Sequence, residues 1–252
     1  MTMRLVIRCE PKLGEGLLGY LLRLVDLNSG DNLAATFQVA RHSVYPALSR
    51  AADIVTSNST AVGVRHFPYF FPDHTSIGKV DPIYFHGHSL ERPEVNFAKP
   101  KFCPTCLSET LMLPAIWELT HYVVCPKHRT ILESYCAQCG TSLSWMRRSL
   151  HSCHNCKFDF RNTKPRPASK TTIEFVRLIE RKILNQRLHS RSPKFEIAAN
   201  HLNLQELLSL CTHIGRPRLI KEKNPKFSCR NALETVEAFV RNKQCIKSSP
   251  QS

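Results

Sequence analysis

The sequence lacks any run of about twenty apolar residues, so it predicts no transmembrane helix and no contact with a membrane. The first residues also lack the long apolar stretch of a secretory signal peptide. We therefore expect a cytoplasmic protein, in which thiols stay reduced. Acidic side chains are scarce too, with 20 Asp and Glu against 35 Lys and Arg. This scarcity argues against a metal-dependent nuclease, because such a site needs clustered carboxylates.

Cysteine, by contrast, is abundant, with eleven cysteines in 252 residues. In a reducing compartment this number indicates metal binding rather than disulfide bonds. Four short motifs with two intervening residues lie between residues 103 and 156: CPTC, CPKH, CAQC and CHNC. Such spacing lets a tight turn, or knuckle, present two side chains to one tetrahedral ion. The sequence therefore predicts zinc as the cofactor, with two ions per chain.

Pairing the knuckles in chain order gives two sets of four ligands. The sets are Cys103, Cys106, Cys125 and His128, then Cys136, Cys139, Cys153 and Cys156. An interleaved pairing, an iron–sulfur cluster and the replacement of a ligand by His151 or His154 are alternatives. Each set fills four positions, so neither has the open position of a catalytic zinc. Both sites are therefore predicted to be structural, and the chain is predicted not to be an enzyme.

Positive charge is concentrated in the second part of the chain. Residues 1–100 carry ten basic and nine acidic side chains, whereas residues 101–252 carry twenty-five and eleven. Such an imbalance indicates contact with nucleic acid, and a solvated basic surface is the alternative. No side chain stands out as a reader of bases. The candidate phosphate contacts are Lys157, Arg161, Lys164, Arg166 and Arg177.

Hydrophobic periodicity predicts a mainly α fold with small zinc-ribbon elements. Residues 1–100 are expected to be helical and to open with a helix-turn-helix-like unit, with helices over 15–27 and 33–39. Residues 101–160 would form the double zinc-binding module. Residues 161–246 would form a basic helical domain, and residues 247–252 a disordered tail. The other predicted elements are a helix over 45–55, a linker at 164–170, and helices over 171–188, 196–211 and 231–241.

These residues resemble the TniQ/TnsD family of bacterial transposition proteins over about residues 8–160. The family's amino-terminal signature places an acidic residue, leucines and an aromatic residue on a helix that ends near arginine. Glu15, Leu17, Tyr20 and Arg23 match it, whereas glycine stands at positions 16 and 19, where serine is common. The order CPTCL, Trp117, CPKHRTIL, CAQCG and CHNC follows the family's zinc block.

The resemblance implies a target-selection adaptor of the bacterial cytoplasm. Such proteins link a targeting element to the AAA+ ATPase TnsC, which recruits the transposase. The targeting element is an RNA-guided effector complex in CRISPR-associated transposons, whereas TnsD-like members read an attachment site themselves. The short chain favours the adaptor. The implied partners are TnsC, the CRISPR effector complex with its guide RNA, and DNA, and a homodimer stays open.

The helical amino-terminal unit is the implied TnsC contact, through Glu15, Leu17, Tyr20 and Arg23. The zinc module and the basic region are the implied contacts for DNA or the effector. Two alternatives stay open. One is a TnsD-like protein that reads its site directly, and the other is a zinc-containing regulator that binds a defined duplex without an ATPase.

Overall fold

The computed structural model of the chain describes residues 5–37, 69–70, 82–185, 199, 201–215 and 229–246. The predicted helix over 45–55 and the predicted tail at 247–252 lie outside these residues. The described part is mainly helical with a few short strands, which confirms the predicted fold class. None of its helices is both long enough and apolar enough to cross a membrane.

The described helices alternate with small antiparallel sheets. The helices are α1 (Leu17–Leu27), α2 (Leu33–Phe37), α3 (Pro104–Thr110), α4 (Lys170–Ile183), α5 (Leu204–Gly215) and α6 (Cys229–Ile246). One sheet has the order β1 (Tyr69–Phe70), β2 (Ile83–Phe85) and β3 (His88–Leu90). The other is the hairpin of β4 (Val124–Cys125) and β5 (Thr130–Ile131), in which Cys125 lies opposite Thr130. Single turns of 3-10 helix cover Arg92–Glu94, Ala115–Glu118 and Phe160–Asn162.

Helix α1 is a core helix, because every residue from Leu17 to Val25 is buried. It packs closely on the segment before the 3-10 turn at Ala115, where the amide of Gly16 donates to the carbonyl of Leu113 at 2.9 Å. A Cβ atom at Gly19 would lie 3.0 Å from that carbonyl oxygen. The two glycines at positions 16 and 19 therefore permit an approach that larger side chains would obstruct.

Helices α4 and α5 begin where local caps satisfy their first amides. The hydroxyl of Ser169, and not Thr171 or Thr172, accepts from the amide of Thr172, so α4 begins at Lys170. Asn203 and Glu206 accept from each other's amides at 2.8 and 2.9 Å, a reciprocal capping box. This box begins α5 at Leu204, within the predicted helix over 196–211, whose predicted start lies outside the described residues.

The predicted linker at 164–170 is wrong. The amide of Ile131 donates to the carbonyl of Arg166, and the amide of Ala168 donates to the carbonyl of Arg129, both at 2.9 Å. Thr130 and Pro167 thus form an antiparallel bridge beside β5. The chain leaving the second cysteine cluster is therefore hydrogen-bonded to the hairpin of the first.

One continuous set of buried apolar side chains extends from Leu5 to Val240. Two polar contacts tie the carboxy-terminal helices to the centre. The hydroxyl of Tyr122 donates to Glu180 on α4 at 2.6 Å, and Thr212 on α5 lies 2.9 Å from Nε2 of His121. This core crosses residues 100 and 160, and the division into separate domains at those points stays a prediction.

Candidate metal centres and basic surface

The first centre joins the start of α3 to the β4–β5 hairpin. Cys103 is the extended residue before α3, and Pro104 occupies the first helical position, where its fixed φ and missing N–H are tolerated. Cys106 follows within the first turn, so it lies on the same side as Cys103. Cys125 ends β4, and His128 lies in the hairpin turn.

The second centre is built from two turns of the same shape. The amide of Gly140 donates to the carbonyl of Cys136 at 2.9 Å, and the amide of Lys157 donates to the carbonyl of Cys153 at 3.1 Å. The residue after the second cysteine is left-handed in both, with φ of 69° at Gly140 and 63° at Lys157. Arg129, directly after His128, has φ of 57°. In three of the four knuckles, the residue directly after the second ligand is therefore left-handed. Only one of these three residues is glycine, the residue that adopts this conformation most readily.

Each set of four donors lies within the reach of one ion, since its ligand atoms are all within 4.8 Å of one another. A tetrahedral ion with Zn–S bonds of about 2.3 Å requires sulfur atoms nearly 4 Å apart. The Sγ atoms of Cys106 and Cys125 are 3.6 Å apart, and those of Cys139 and Cys153 are 3.8 Å apart. The sets that the structure assembles are the chain-order sets, and their soft sulfur and imidazole donors suit zinc.

The thiols also oppose one another's ionisation. The hydrogen bond between Cys103 and Cys106 lowers the pKa of the Cys103 thiol and raises the pKa of the Cys106 thiol. Closely spaced thiols share protons in this way because like charges cannot all form together. A divalent cation lets all of them be thiolates at once, so the donor sets fit a bound metal ion.

Glu109 supports the first centre from outside the ligand set. His128 turns Nδ1 toward the three sulfur atoms, at 3.1 Å from Sγ of Cys106, and Nε2 toward Oε1 of Glu109, also at 3.1 Å. A carboxylate that accepts from the second ring nitrogen fixes the tautomer and orientation of a metal-binding histidine. Lys127 pairs with the same carboxylate.

Arg147 supports the second centre. Its buried guanidinium donates to the carbonyls of Ser144, Ser149 and Leu150 at 2.8, 2.9 and 3.3 Å, and no carboxylate pairs with it in the described structure. Burial lowers the pKa of Arg147, whereas the charges of Cys153 and Asp26 raise it. Four thiolates around Zn²⁺ carry a net charge of about −2, so Arg147 supplies a nearby compensating cation.

His151 and His154 are not donors in either cluster of the described structure. Nδ1 of His151 lies 3.1 Å from the hydroxyl of Ser149 and 3.6 Å from Asp26 at the end of α1. The same Asp26 carboxylate accepts from the amide of Leu150 at 3.0 Å. These contacts attach the loop before the last knuckle to α1, and His154 is exposed.

The five candidate phosphate contacts are all exposed, but they differ in their partners. Arg161 pairs with Asp159, and Arg166 forms two hydrogen bonds with Glu133 at 2.7 and 2.8 Å. Lys157 donates weakly to the carbonyl of His154 at 3.4 Å. Lys164 and Arg177 have no partner within the described ranges. Their contact with DNA stays a prediction, and the unpaired cations are the better candidates.

The four residues predicted to contact TnsC are buried, with 1% of Glu15, 2% of Leu17, 0% of Tyr20 and 9% of Arg23 exposed. Glu15 accepts from Arg23 at 2.6 and 2.8 Å, and Tyr20 donates to the carbonyl of Cys9 at 2.9 Å. Side chains in these positions hold the amino-terminal segment on α1. The prediction that they form the partner contact stays a prediction, and their burial means that a partner of the folded chain would reach only the surface that they support.

Reasoning from the sequence alone missed Glu109, Arg147 and the left-handed positions of Arg129 and Lys157. Glu109 lies nineteen positions before His128 and has no fixed spacing that could reveal it. A signal for the left-handed residues was present, because Gly140 follows a knuckle and marks the equivalent position in the others.

The sequence model of the TniQ family matches residues 6–132, which is half of the chain. The match begins before α1 and ends just after β5, so it includes all four ligands of the first centre. A search of curated proteins finds no match.

Proposed function

Because the chain belongs to the TniQ family, we propose that it is a non-catalytic adaptor that links a targeting complex and target DNA to the AAA+ ATPase TnsC. The TniQ domain indicates a transposition-associated target-selection protein. The observation that carries the proposal is this match, which covers α1 and the first metal centre. The targeting complex that we propose is an RNA-guided CRISPR effector.

Both metal centres support a structural role. Each offers four donors to one ion, so zinc would leave no position for water or substrate. Zinc would hold together the start of α3, the β4–β5 hairpin and two further knuckles. In an adaptor, these centres fix the surfaces that different partners contact.

The charge distribution supports contact with DNA. Lys164 and Arg177 are exposed cations without partners in the described structure, and cations of this kind bind phosphates. The proposed contact therefore follows the DNA backbone, where phosphate contacts carry no sequence information. Sequence choice would then come from the targeting complex.

The proposed TnsC contact is the exposed apolar surface at the amino terminus. Val6 is 94% exposed and Ile7 is 48% exposed, and the side chain of Asn28 hydrogen-bonds both backbone groups of Ile7 at 2.8 Å. Leu27, which precedes Asn28 at the end of α1, is 41% exposed. An exposed apolar surface of this kind is typical of a protein contact.

The test is binding of the zinc-loaded chain to TnsC from the same transposon, with and without target DNA, at near-physiological salt. We expect a stable complex by size-exclusion chromatography with light scattering. Val6→Asp should weaken it by about tenfold, because a charge replaces an apolar contact. Leu184→Asp is the matched control, since Leu184 is 61% exposed on the other side of the predicted domain boundary.

Two results would argue against the adaptor. One is the absence of any complex with TnsC under all of these conditions. The other is nanomolar binding to a defined duplex without the ATPase, which would favour the regulator or the TnsD-like reading.

A further inference from the structure

A cavity of about 450 Å³ lies between the second knuckle pair, the β4–β5 hairpin and α6. One side is formed by the hairpin, and another by the knuckle at Cys136. Thr163, Lys164 and Arg166, which come before the residue bridged to β5, form a third side, and Leu233 and Glu234 of α6 line a fourth. A volume of this size is typical of pockets that bind a ligand or a side chain of a partner protein. Only one of the residues that line the cavity is a metal ligand.

The floor of the cavity is aliphatic. Its apolar lining consists of Val123, Ile131, Leu132, Ala137 and Leu233. Tyr135 is the one aromatic residue in this lining, and the ammonium of Lys99 lies 5.8 Å from its ring centroid. Nucleobases bind mainly by stacking on aromatic rings or guanidinium planes. An aliphatic floor instead suits the aliphatic side chains of a peptide.

Lys164 is the cation available at this cavity. The ammonium of Lys101 donates to the carbonyls of Leu119 and Tyr122 at 2.7 and 2.8 Å, and more weakly to that of Thr120, so its three protons are used. Arg166 is held by Glu133. Lys164 is exposed and has no partner among the described residues. Glu234 is exposed on the α6 side, so an anion is favoured only beside Lys164.

Thr163 supplies a second, independent indication of a ligand. It lines the cavity, only 5% of the residue is exposed, and its hydroxyl oxygen is buried without a hydrogen-bond partner in the described structure. Buried hydroxyls in proteins are normally hydrogen-bonded. The backbone of an extended peptide in the cavity provides both donors and acceptors for such a group.

We propose that this cavity is the docking site for a short acidic peptide segment of a protein partner. An aliphatic side chain packs on the floor, an adjacent carboxylate pairs with Lys164, and a backbone group hydrogen-bonds to Thr163. The site shares no residue with the amino-terminal apolar surface. Only the identity of the partner rests on the proposed function, because the cavity and its charged side chains are the same whatever the function of the chain.

The test uses fluorescence polarisation with the zinc-loaded full chain and a fluorescein-labelled hexapeptide that contains two leucines and two glutamates. We expect saturable binding. It should weaken about tenfold when the leucines become serines, because serine side chains do not bury the apolar floor of the cavity. Lys164→Glu should also weaken binding about tenfold. Lys170→Glu is the control with the same change of charge, since Lys170 is exposed at the start of α4 outside the cavity.

Thr163→Val separates a ligand contact from a structural role. It should weaken peptide binding about fivefold without lowering the thermal midpoint of the free chain, because it removes a hydroxyl that has no partner there. A lower midpoint with unchanged peptide binding would show a structural role and overturn the assignment of Thr163.

Three results would overturn the site itself. They are no binding of the leucine peptide, equal losses in Lys164→Glu and Lys170→Glu, and displacement of the peptide by a twelve-residue oligothymidylate, which would show nucleic acid in the cavity. Each is distinguishable from failure of the adaptor, because TnsC binding is measured separately with the Val6→Asp variant.

Discussion

At the scale of single residues, the metal ligands are predictable and their supporting residues are not. Ligand spacing reflects one turn of local backbone, so a pair of cysteines with two intervening residues reveals it. Glu109 meets His128 only after α3 and the hairpin have packed together. Arg147 lies between the knuckles in sequence, but its role depends on complete burial, which sequence does not reveal.

Glu109 is expected to strengthen metal binding at the first centre. Glu109→Gln keeps the size of the side chain but removes the charge that orients His128, so we expect zinc affinity at this centre to fall about tenfold. Competition with a chromophoric chelator measures it. Glu91→Gln, at an exposed carboxylate away from both clusters, is the control, and equal affinities in the two variants would contradict the assignment.

Lys157 is expected to be a strained residue. A side chain in the left-handed region costs about 1 kcal/mol relative to glycine, so Lys157→Gly should stabilise the zinc-loaded chain by about that amount. Gly140→Lys should destabilise it similarly, because Gly140 has the equivalent φ. Urea unfolding measures both changes. A loss of stability in Lys157→Gly would show that its side chain matters more than its backbone.

At the scale of secondary structure, the helices were predictable and their boundaries less so. The leucine pattern indicated α1 and α5, but Gly16 precedes the first residue of α1, and the capping box at Asn203 begins α5 within the predicted helix. The strands have two or three residues, too few to show alternation. The pairing of residues 166–168 with β5 joins segments far apart in sequence, so no local pattern indicated it.

The packing of α1 on the segment around Leu113 is expected to tolerate no larger side chain at position 19. Gly19→Val adds atoms where a Cβ alone would lie 3.0 and 3.1 Å from Leu113. We expect it to destabilise the chain by about 1–3 kcal/mol, although valine is the better helix former. Urea unfolding measures it, and Leu27→Val at the exposed end of α1 should change stability little. Equal stabilities would show that the helix moves freely on this segment.

At the scale of the whole molecule, the uneven distribution of charge was visible in the sequence. Whether each basic side chain is paired with a carboxylate was not. Arg161 and Arg166 are engaged by Asp159 and Glu133, which lie two and thirty-three positions away. Burial of Glu15 and Arg23 likewise follows from tertiary packing. The family signature on α1 therefore did not reveal which side of the helix is accessible to a partner.

DNA binding is expected to depend on the unpaired cations. Arg177→Gln should reduce the slope of log affinity against log salt by about 1, as for one lost phosphate contact. Arg161→Gln should change the slope less, because its guanidinium is paired with Asp159 in the free chain. Binding to a labelled duplex at several salt concentrations measures both slopes. Identical slopes in both variants and the parent chain would contradict the assigned surface.

Two closed metal centres are the structural basis of the whole account, and the number of metal ions per folded chain tests it most directly. Native mass spectrometry of the folded chain should show two zinc ions, and one in each of the variants Cys103→Ser and Cys136→Ser where these stay folded. Elemental analysis of the same sample should find zinc and no iron. A folded chain without bound metal, or one with iron in place of zinc, would contradict the account.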